Sequence, residues 1–263
     1  MDESVFEQIS DCADYLKLSF SSQEMACLAD DRSFSEESLS AIADVFEHLR
    51  DRKKEAIVRT LLRLSRLPLK EPKTFQSFDF SHLHENETDR LKDLSSLSAL
   101  YAHRNISFIG PHGVGKTHLA MAYGRACCEA GLKSYFIKAT ELNQKLLEAR
   151  RTGREVSIVK SFVKYSCLII DEIGRCVFDK ENTRMFFDII DRRYNKEGPN
   201  MMIFTSNKSP DTWGEFFSED STLLCALDRI FDTATVFTIK GSSYRGRRCE
   251  TVSVIAGDVA TTT

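Results

Sequence analysis

The feature that most constrains this fold is a glycine-rich stretch at residues 110–117, which reads GPHGVGKT. It fits the pattern G-x-x-x-x-G-K-[ST] and lies between an apolar run, Ile106–Ile109, and a helical pattern that continues to about Ala130. In that context the loop curls with its N–H groups pointing inward, and the start of the helix offers further donors to an anion. The sequence therefore predicts a strand, an anion-binding loop and a helix, in this order.

This loop predicts a site for a nucleoside triphosphate such as ATP. Lys116 would reach the β and γ phosphates, and the Thr117 hydroxyl would ligate Mg²⁺ together with Asp171. The predicted nucleotide-binding residues are Gly110, Pro111, His112, Gly113, Val114, Gly115, Lys116, Thr117, His118 and Asp171. The alternative is a glycine turn with a surface lysine, which the strand–loop–helix context disfavours.

Polar residues follow two further apolar runs. Four apolar residues at 167–170 end in Asp171 and Glu172, as in a buried strand that opens at a site. Asp171 would serve the magnesium ion, and Glu172 would accept a proton from an attacking water. Asn207 follows the run 201–204 and can bond both that water and the γ-phosphate. The alternatives are a strand that ends in solvated acids, and an asparagine that only forms a turn.

Short apolar runs alternate with helical patterns from about residue 90 onwards. The runs lie at 106–109, 135–137, 168–170, 201–204 and 236–239. This alternation predicts an α/β fold in which a parallel sheet is the middle of three layers. We also predict a small all-helical domain at 1–73, a nucleotide-binding domain at 74–248, and a loosely ordered tail at 249–263.

Charge is distributed unevenly along the chain. Residues 1–49 carry twelve acidic and two basic residues, whereas residues 50–73 carry nine basic and three acidic ones. On a helical wheel, one face of the basic segment holds Arg52, Arg59, Arg63 and Arg66. The opposite face holds Ile57, Leu61 and Leu64. The split indicates different partners for the two segments.

A second basic group follows a predicted helix at 141–149. It consists of Arg150, Arg151, Arg154 and Lys160. Both basic groups suit contact with DNA phosphates without sequence reading, although either can be a solvated face. The acidic segment 1–49 would be repelled by DNA, so it suits a protein partner or the basic segment of a neighbouring subunit.

The sequence disfavours a membrane protein and a protein built around cysteine motifs. No stretch approaches the roughly 18 apolar residues that span a bilayer, and the acidic N-terminus lacks an apolar run, so we expect no membrane contact and a cytoplasmic location. The eight cysteines include no C-x-x-C pair and no zinc-like spacing. We expect them to be mostly small buried side chains.

The order of these motifs resembles that of the AAA+ ATPases. More narrowly, it is similar to the IstB-type transposition helpers and the DnaC-type helicase loaders. The resemblance covers about residues 40–248 and rests on GPHGVGKTHLA at 110–120, LIIDEIG at 168–174, TSN at 205–207, WGE at 213–215, LDR at 227–229 and SYR at 243–245.

The resemblance implies further roles. Asn207 would be sensor 1, Arg229 an arginine finger that reaches the γ-phosphate of a neighbouring subunit, and Arg245 the sensor 2 arginine. Phe78 and Phe80 would approach the nucleotide base. An arginine acting in trans neutralises charge in phosphoryl transfer and couples hydrolysis to assembly. The implied protein is a homo-oligomeric, Mg²⁺-dependent ATPase that binds DNA and assists a transposase in target capture.

Two alternatives stay open on the sequence. A replicative helicase loader would share the nucleotide-binding core and use its N-terminus to bind the helicase. Some loaders carry an N-terminal zinc site, for which this chain has no ligand cluster. A P-loop kinase for a small molecule is the other alternative, but it has no use for a water-activating Glu172 or for Asn207.

Overall fold

The computed structural model describes residues 3–81, 85–218 and 227–241, and its centre is a five-stranded parallel sheet. The strands are β1 (Ile106–Ile109), β2 (Ser134–Lys138), β3 (Cys167–Ile173), β4 (Met201–Ser206) and β5 (Thr235–Thr238). Their order across the sheet is β2-β3-β4-β1-β5. The predicted parallel sheet is confirmed, and all four strand pairs are parallel.

Helices cover both faces of the sheet. The helices are α1 (Glu3–Leu16), α2 (Ser22–Arg32), α3 (Glu36–Ser65), α4 (Glu85–Lys92), α5 (Ser98–Tyr101), α6 (Lys116–Glu129), α7 (Ala139–Arg151), α8 (Glu155–Val163) and α9 (Lys180–Tyr194). Short 3₁₀ turns lie at Asp93–Ser96 and Pro210–Phe216, and residues 227–231 are also helical. Helices α7, α8 and α9 pack on one face, and α6 packs on the other together with residues 67–80 and 91–100. This is the predicted three-layer arrangement.

The central strands carry apolar residues on both sides because both faces are covered. In β3, Leu168 and Ile170 face the α7–α9 layer, whereas Ile169 faces the α6 layer. Strand β1 is buried along its whole length. Its complete burial, which includes the polar Ser107, therefore reflects a sheet without a solvent-facing side in this region.

The N-terminal helices have a small core of their own. It is formed by Ile9, Met25, Ala29, Leu39 and Ala43. Helix α2 begins at a capping box of Ser21 and Glu24, and α3 begins at Ser35, whose hydroxyl accepts the N–H of Ser38. The predicted helical character of this region is confirmed.

Helix α3 joins the helical core to the sheet. It has 30 residues and is about 45 Å long at 1.5 Å per residue. Its first half packs on α1, and its second half reaches α6 and β2. Leu62 and Ser65 are buried at that contact.

The structure departs from the helical wheel at two residues. Leu64 is 61% exposed, and Leu62 takes its place in the contact with the sheet. Arg66 does not continue the helical row, because it ends the helix with a left-handed φ of 65°. Its guanidinium instead pairs with Glu141 and lies 5.8 Å from the ring centre of Tyr135. A wheel shows which residues are apolar, but not from which side the neighbouring helix approaches.

The described residues contain no helix that is both long enough and apolar enough to cross a membrane. In the same part of the chain, no group of three or more His, Cys, Asp or Glu side chains could hold a metal ion. Cys12, Cys127, Cys128 and Cys167 are buried, as expected, whereas Cys27 is exposed.

Candidate nucleotide-binding site

The glycine-rich loop connects the end of β1 to the start of α6 and is strongly curled. Gly113 and Gly115 have φ values of 79° and 94°, which side chains other than glycine rarely adopt. A Cβ atom on Gly115 would also lie 2.5 Å from the ring of Phe78. These two glycines therefore let the loop turn and let an aromatic ring approach its backbone.

Lys116 is the first residue of α6 and connects the loop to the end of β4. Its side chain is buried, and Nζ donates to the carbonyl oxygens of Gly110 and Pro111 and to Asn207 Oδ1, each at 2.7 Å. Asn207 Nδ2 in turn lies 3.0 Å from Nε2 of His112. The structure therefore brings the lysine of the loop and the amide that follows β4 together.

Asp171 is buried in β3, and one of its carboxylate oxygens accepts hydrogen bonds from two hydroxyl groups. Thr117 donates to Oδ1 at 2.7 Å, and Thr205 donates to the same atom at 2.6 Å. Burial raises the pKa of Asp171, and the two hydroxyl groups oppose part of that rise. A carboxylate and a hydroxyl in direct contact are oxygen ligands of the kind that Mg²⁺ prefers.

Glu172 lies at an irregularity of β3. Its φ of 61° is positive, which is unusual for a residue other than glycine. Its carboxylate contacts Lys138 Nζ at 3.3 Å and Arg175 at 3.6 Å, and it faces the same cavity as Lys116. The acid pair therefore divides, with Asp171 turned into the protein and Glu172 turned towards the cavity.

The cavity has a volume of about 500 Å³, within the range of small-molecule sites. The loop, Glu172 and Asn207 form one side of it, and residues 73–79 form the other. His118 holds the second side in place, because its Nε2 donates to Thr74 O at 2.9 Å and its ring lies edge-to-face with Phe78. Burial lowers the pKa of His118, against the effect of the Thr74 carbonyl.

Several lining residues escaped the sequence analysis. They are Lys73, Ser77, Asp79, Met121, Thr205 and Ser206. The hydroxyl of Ser206 is bonded to Ile173 O. Phe78 was expected near the base only by resemblance, and it lines the cavity, with Phe80 edge-to-face at 4.8 Å between ring centres. The aromatic run at 75–80 is the one sequence signal that could have indicated this side of the cavity. The signal is weak, because the run precedes the loop by about 35 residues and carries no motif of its own.

Arg229 lies at the opposite edge of the sheet from the loop. It belongs to the helical residues 227–231 and pairs with Asp191 on α9 at 3.3 Å. The backbone carbonyl of the next residue, Ile230, accepts a hydrogen bond from the side-chain amide of Asn105, which directly precedes β1. Because the loop follows the other end of β1, Arg229 is separated from the cavity of its own chain by the length of that strand. Arg245 lies outside the described residues.

The two basic groups differ in how freely their members are displayed. Arg52, Arg59 and Arg63 are exposed on α3, whereas Arg66 is engaged by Glu141 and Tyr135. In the second group, Arg150 pairs with Asp179 at 2.8 Å. The exposed members of that group are Arg151, Arg154 and Lys160.

Together, the strand order, the curled loop after β1 and the acid pair at the end of β3 define a P-loop nucleotide-binding protein of the AAA+ type. The match to a family described as IstB-like ATP binding protein extends over residues 16–251. The chain belongs to that family.

Similar proteins include ATP-binding proteins of bacterial insertion sequences. One from Geobacillus stearothermophilus is 38% identical over 72% of this chain and 74% of its own. Another, from Bacillus thuringiensis, is 33% identical over 91% of this chain and 94% of its own. The solved structure of AMPPCP-bound DnaA from Aquifex aeolicus has a TM-score of 0.54 at 19% identity, over 66% of this chain and 51% of that one, and shows the shared fold.

Proposed function

We propose that this protein hydrolyses ATP, assembles on DNA and assists a transposase in capturing target DNA. The observation that carries the ATPase proposal is the contact of Thr117 with Asp171 beside the Lys116–Asn207 pair. Lys116, Thr117 and Asn207 line one cavity beside a curled loop, and Asp171 is buried behind Thr117. Binding and cleavage of a triphosphate require such a grouping. The transposase proposal is supported by the relatives named as insertion-sequence proteins.

The phosphates would be held by the main-chain N–H groups of the loop and by Lys116. The residues that would hold Mg²⁺ are Thr117 and Asp171, whose oxygen atoms already touch. When bound, Mg²⁺ would neutralise charge on the phosphate oxygens. His118 and Phe78 would lie beside the rest of the nucleotide, because both line the cavity.

Glu172 would accept the proton of the attacking water, and Asn207 would orient that water against the γ-phosphate. To act in this way, the Glu172 carboxylate, which already lines the cavity, must release its ion pairs with Lys138 and Arg175. Arg229 would complete the site of a neighbouring subunit, and its position at the far edge of the sheet supports action in trans. We keep Arg245 as a proposed sensor of its own subunit's nucleotide.

DNA contact is proposed for the exposed arginines of α3 and for the exposed members of the second basic group. We leave Arg66 and Arg150 out of this proposal because both have partners within the chain. The acidic helices before them would bind a protein, since DNA would repel them. We also propose domains at 1–73 and 74–248 with a tail at 249–263, and the separate core of the N-terminal helices supports the first of them.

The test compares the protein with and without ATP and Mg²⁺. We expect ATP with Mg²⁺ to produce oligomers in light scattering and salt-sensitive duplex binding in gel shifts. A transposase encoded beside this protein should then co-purify with it. Absence of both oligomers and duplex binding would refute the proposal. Co-purification with a hexameric helicase alone would reassign the protein as a helicase loader. Formation of ADP that needs a small-molecule acceptor and transfers the phosphoryl group to it, without release of free phosphate, would reassign the protein as a kinase.

A further inference from the structure

Strands β3 and β4 lose their register at the acid pair. Ile170 pairs with Phe204, but Ile173 pairs with Ser206, so β3 contains one residue more than β4 between these pairs. The extra residue bends β3 where Asp171 and Glu172 lie, and Glu172 has the positive φ described above. Such a bulge re-aims a side chain and interrupts the ladder of backbone hydrogen bonds.

The hydroxyl of Thr205 replaces a missing rung of that ladder. Its Oγ1 accepts the backbone N–H of Glu172 at 2.9 Å and donates to Asp171 Oδ1 at 2.6 Å. Thr205 is 1% exposed, so both bonds are shielded from bulk water. One hydroxyl therefore fixes the carboxylate of Asp171 and the backbone that directs Glu172.

We propose that Thr205 is a positioning residue for the metal and water-activating carboxylates of this site. It acts through Asp171, whose oxygen it holds against Thr117, and through the backbone of Glu172. The inference rests on the proposed roles of Asp171 and Glu172. Groups that orient a ligand in this way are commonly worth about 10-fold to 100-fold in metal affinity or activity.

Ser206 offers a matched control within the same bulge. It is as buried as Thr205, and its hydroxyl donates to Ile173 O at 2.7 Å on the other side of the irregularity. It therefore stabilises the bulge without touching either carboxylate. A role of Thr205 in folding alone would predict the same behaviour for Thr205→Val and Ser206→Ala.

The experiment titrates Mg²⁺ against the binding of a fluorescent ATP analogue. Thr205→Val keeps the side-chain volume but removes the hydroxyl. We expect binding in chelator to change by less than about threefold, whereas the Mg²⁺ concentration needed for half-maximal tightening rises about 10-fold. Thr205→Ser should need a Mg²⁺ concentration within about threefold of that for the unmodified protein. Ser206→Ala should also stay within about threefold of the unmodified protein.

Hydrolysis provides the second measurement. We expect Thr205→Val to lower kcat by about 10-fold to 100-fold, with a smaller change in KM for ATP. Unchanged Mg²⁺ dependence in Thr205→Val would overturn the inference. Equal impairment of Thr205→Ser, or loss of binding in chelator, would overturn it as well. If Thr205→Val does not fold, Thr205→Ala removes the same hydroxyl and is read in the same way.

The titration separates this inference from the proposed function. If the unmodified protein binds ATP with Mg²⁺ but does not hydrolyse it, the ATPase proposal fails. The Mg²⁺ dependence of binding still decides the role of Thr205 in that case, because that measurement requires no turnover.

Discussion

The carboxyl edge of the sheet and the exposed face of α3 both carry charged residues, but they hold them differently. At the sheet edge, Asp171 is 2% exposed and Lys116 is 8% exposed, and each is held by at least two hydrogen bonds. On α3, Arg52, Arg59 and Arg63 are exposed. Phosphoryl transfer requires defined distances, whereas contact with a DNA backbone requires only charge and approximate spacing.

The comparison predicts that single substitutions at the site will have large effects. Arg229→Ala should lower kcat of the assembled protein by about 10³-fold, because an arginine supplied in trans neutralises transition-state charge. Steady-state phosphate release measures this. Arg192→Ala, also a half-exposed arginine with a partner on α9, is the control. Hydrolysis by Arg229→Ala at the unmodified rate would exclude the trans role.

Glu172→Gln should bind ATP within about threefold of the unmodified protein but hydrolyse it at least about 10²-fold more slowly, because the amide cannot accept the proton. Glu148→Gln, on the exposed side of α7, should change neither property.

Mixing Glu172→Gln with Arg229→Ala should restore part of the ATPase activity. The mixture contains interfaces with an intact Glu172 on one subunit and an intact Arg229 on the other. No recovery on mixing would argue against shared sites.

Lys116→Ala should weaken ATP binding by roughly 100-fold, because the proposed bond between its ammonium group and phosphate would be lost. Equilibrium titration with a fluorescent analogue measures this change. Lys164→Ala is the matched control, since Lys164 is exposed and directly follows α8 at the other edge of the sheet. Equal affinities of the two variants for ATP would show that the nucleotide does not bind at the loop.

The exposed row on α3 should respond to salt rather than to any single substitution. Replacing Arg52, Arg59 and Arg63 together by alanine should make the slope of log K for duplex binding against log salt shallower by about 3. Lys17→Ala/Arg32→Ala, which removes two exposed cations near the acidic helices, should leave that slope unchanged. An unaltered slope in the triple variant would make the row a solvated face.

The smallest effect is expected at Arg66, which joins the two regions. Because Arg66 pairs with Glu141 and stacks over Tyr135 while partly exposed, Arg66→Ala should lower the free energy of unfolding by roughly 1 kcal/mol. Arg63→Ala should change it by less than about 0.5 kcal/mol. Denaturant unfolding measures both. Equal free energies of unfolding for the two variants would show that the contacts of Arg66 contribute no more to stability than those of the exposed Arg63.

Local patterns were enough to predict much of the core. All five apolar runs are strands, and the loop lies between β1 and α6 as expected. The contacts Thr117–Asp171 and Lys116–Asn207 agree with the geometry that the motifs imply, because neighbouring parallel strands end at one edge. The roles assigned to these residues stay predictions.

The sequence alone determined the strands, the curl of the loop and the order of the helices, since each depends on residues that are close in the chain. Only the tertiary structure decided that Thr205 bridges Asp171 and Glu172, that residues 73–79 wall the cavity, and that Arg66 leaves the exposed row. These outcomes depend on how one segment packs against another that is distant in sequence. A one-residue bulge or the side from which a helix approaches has no local signature.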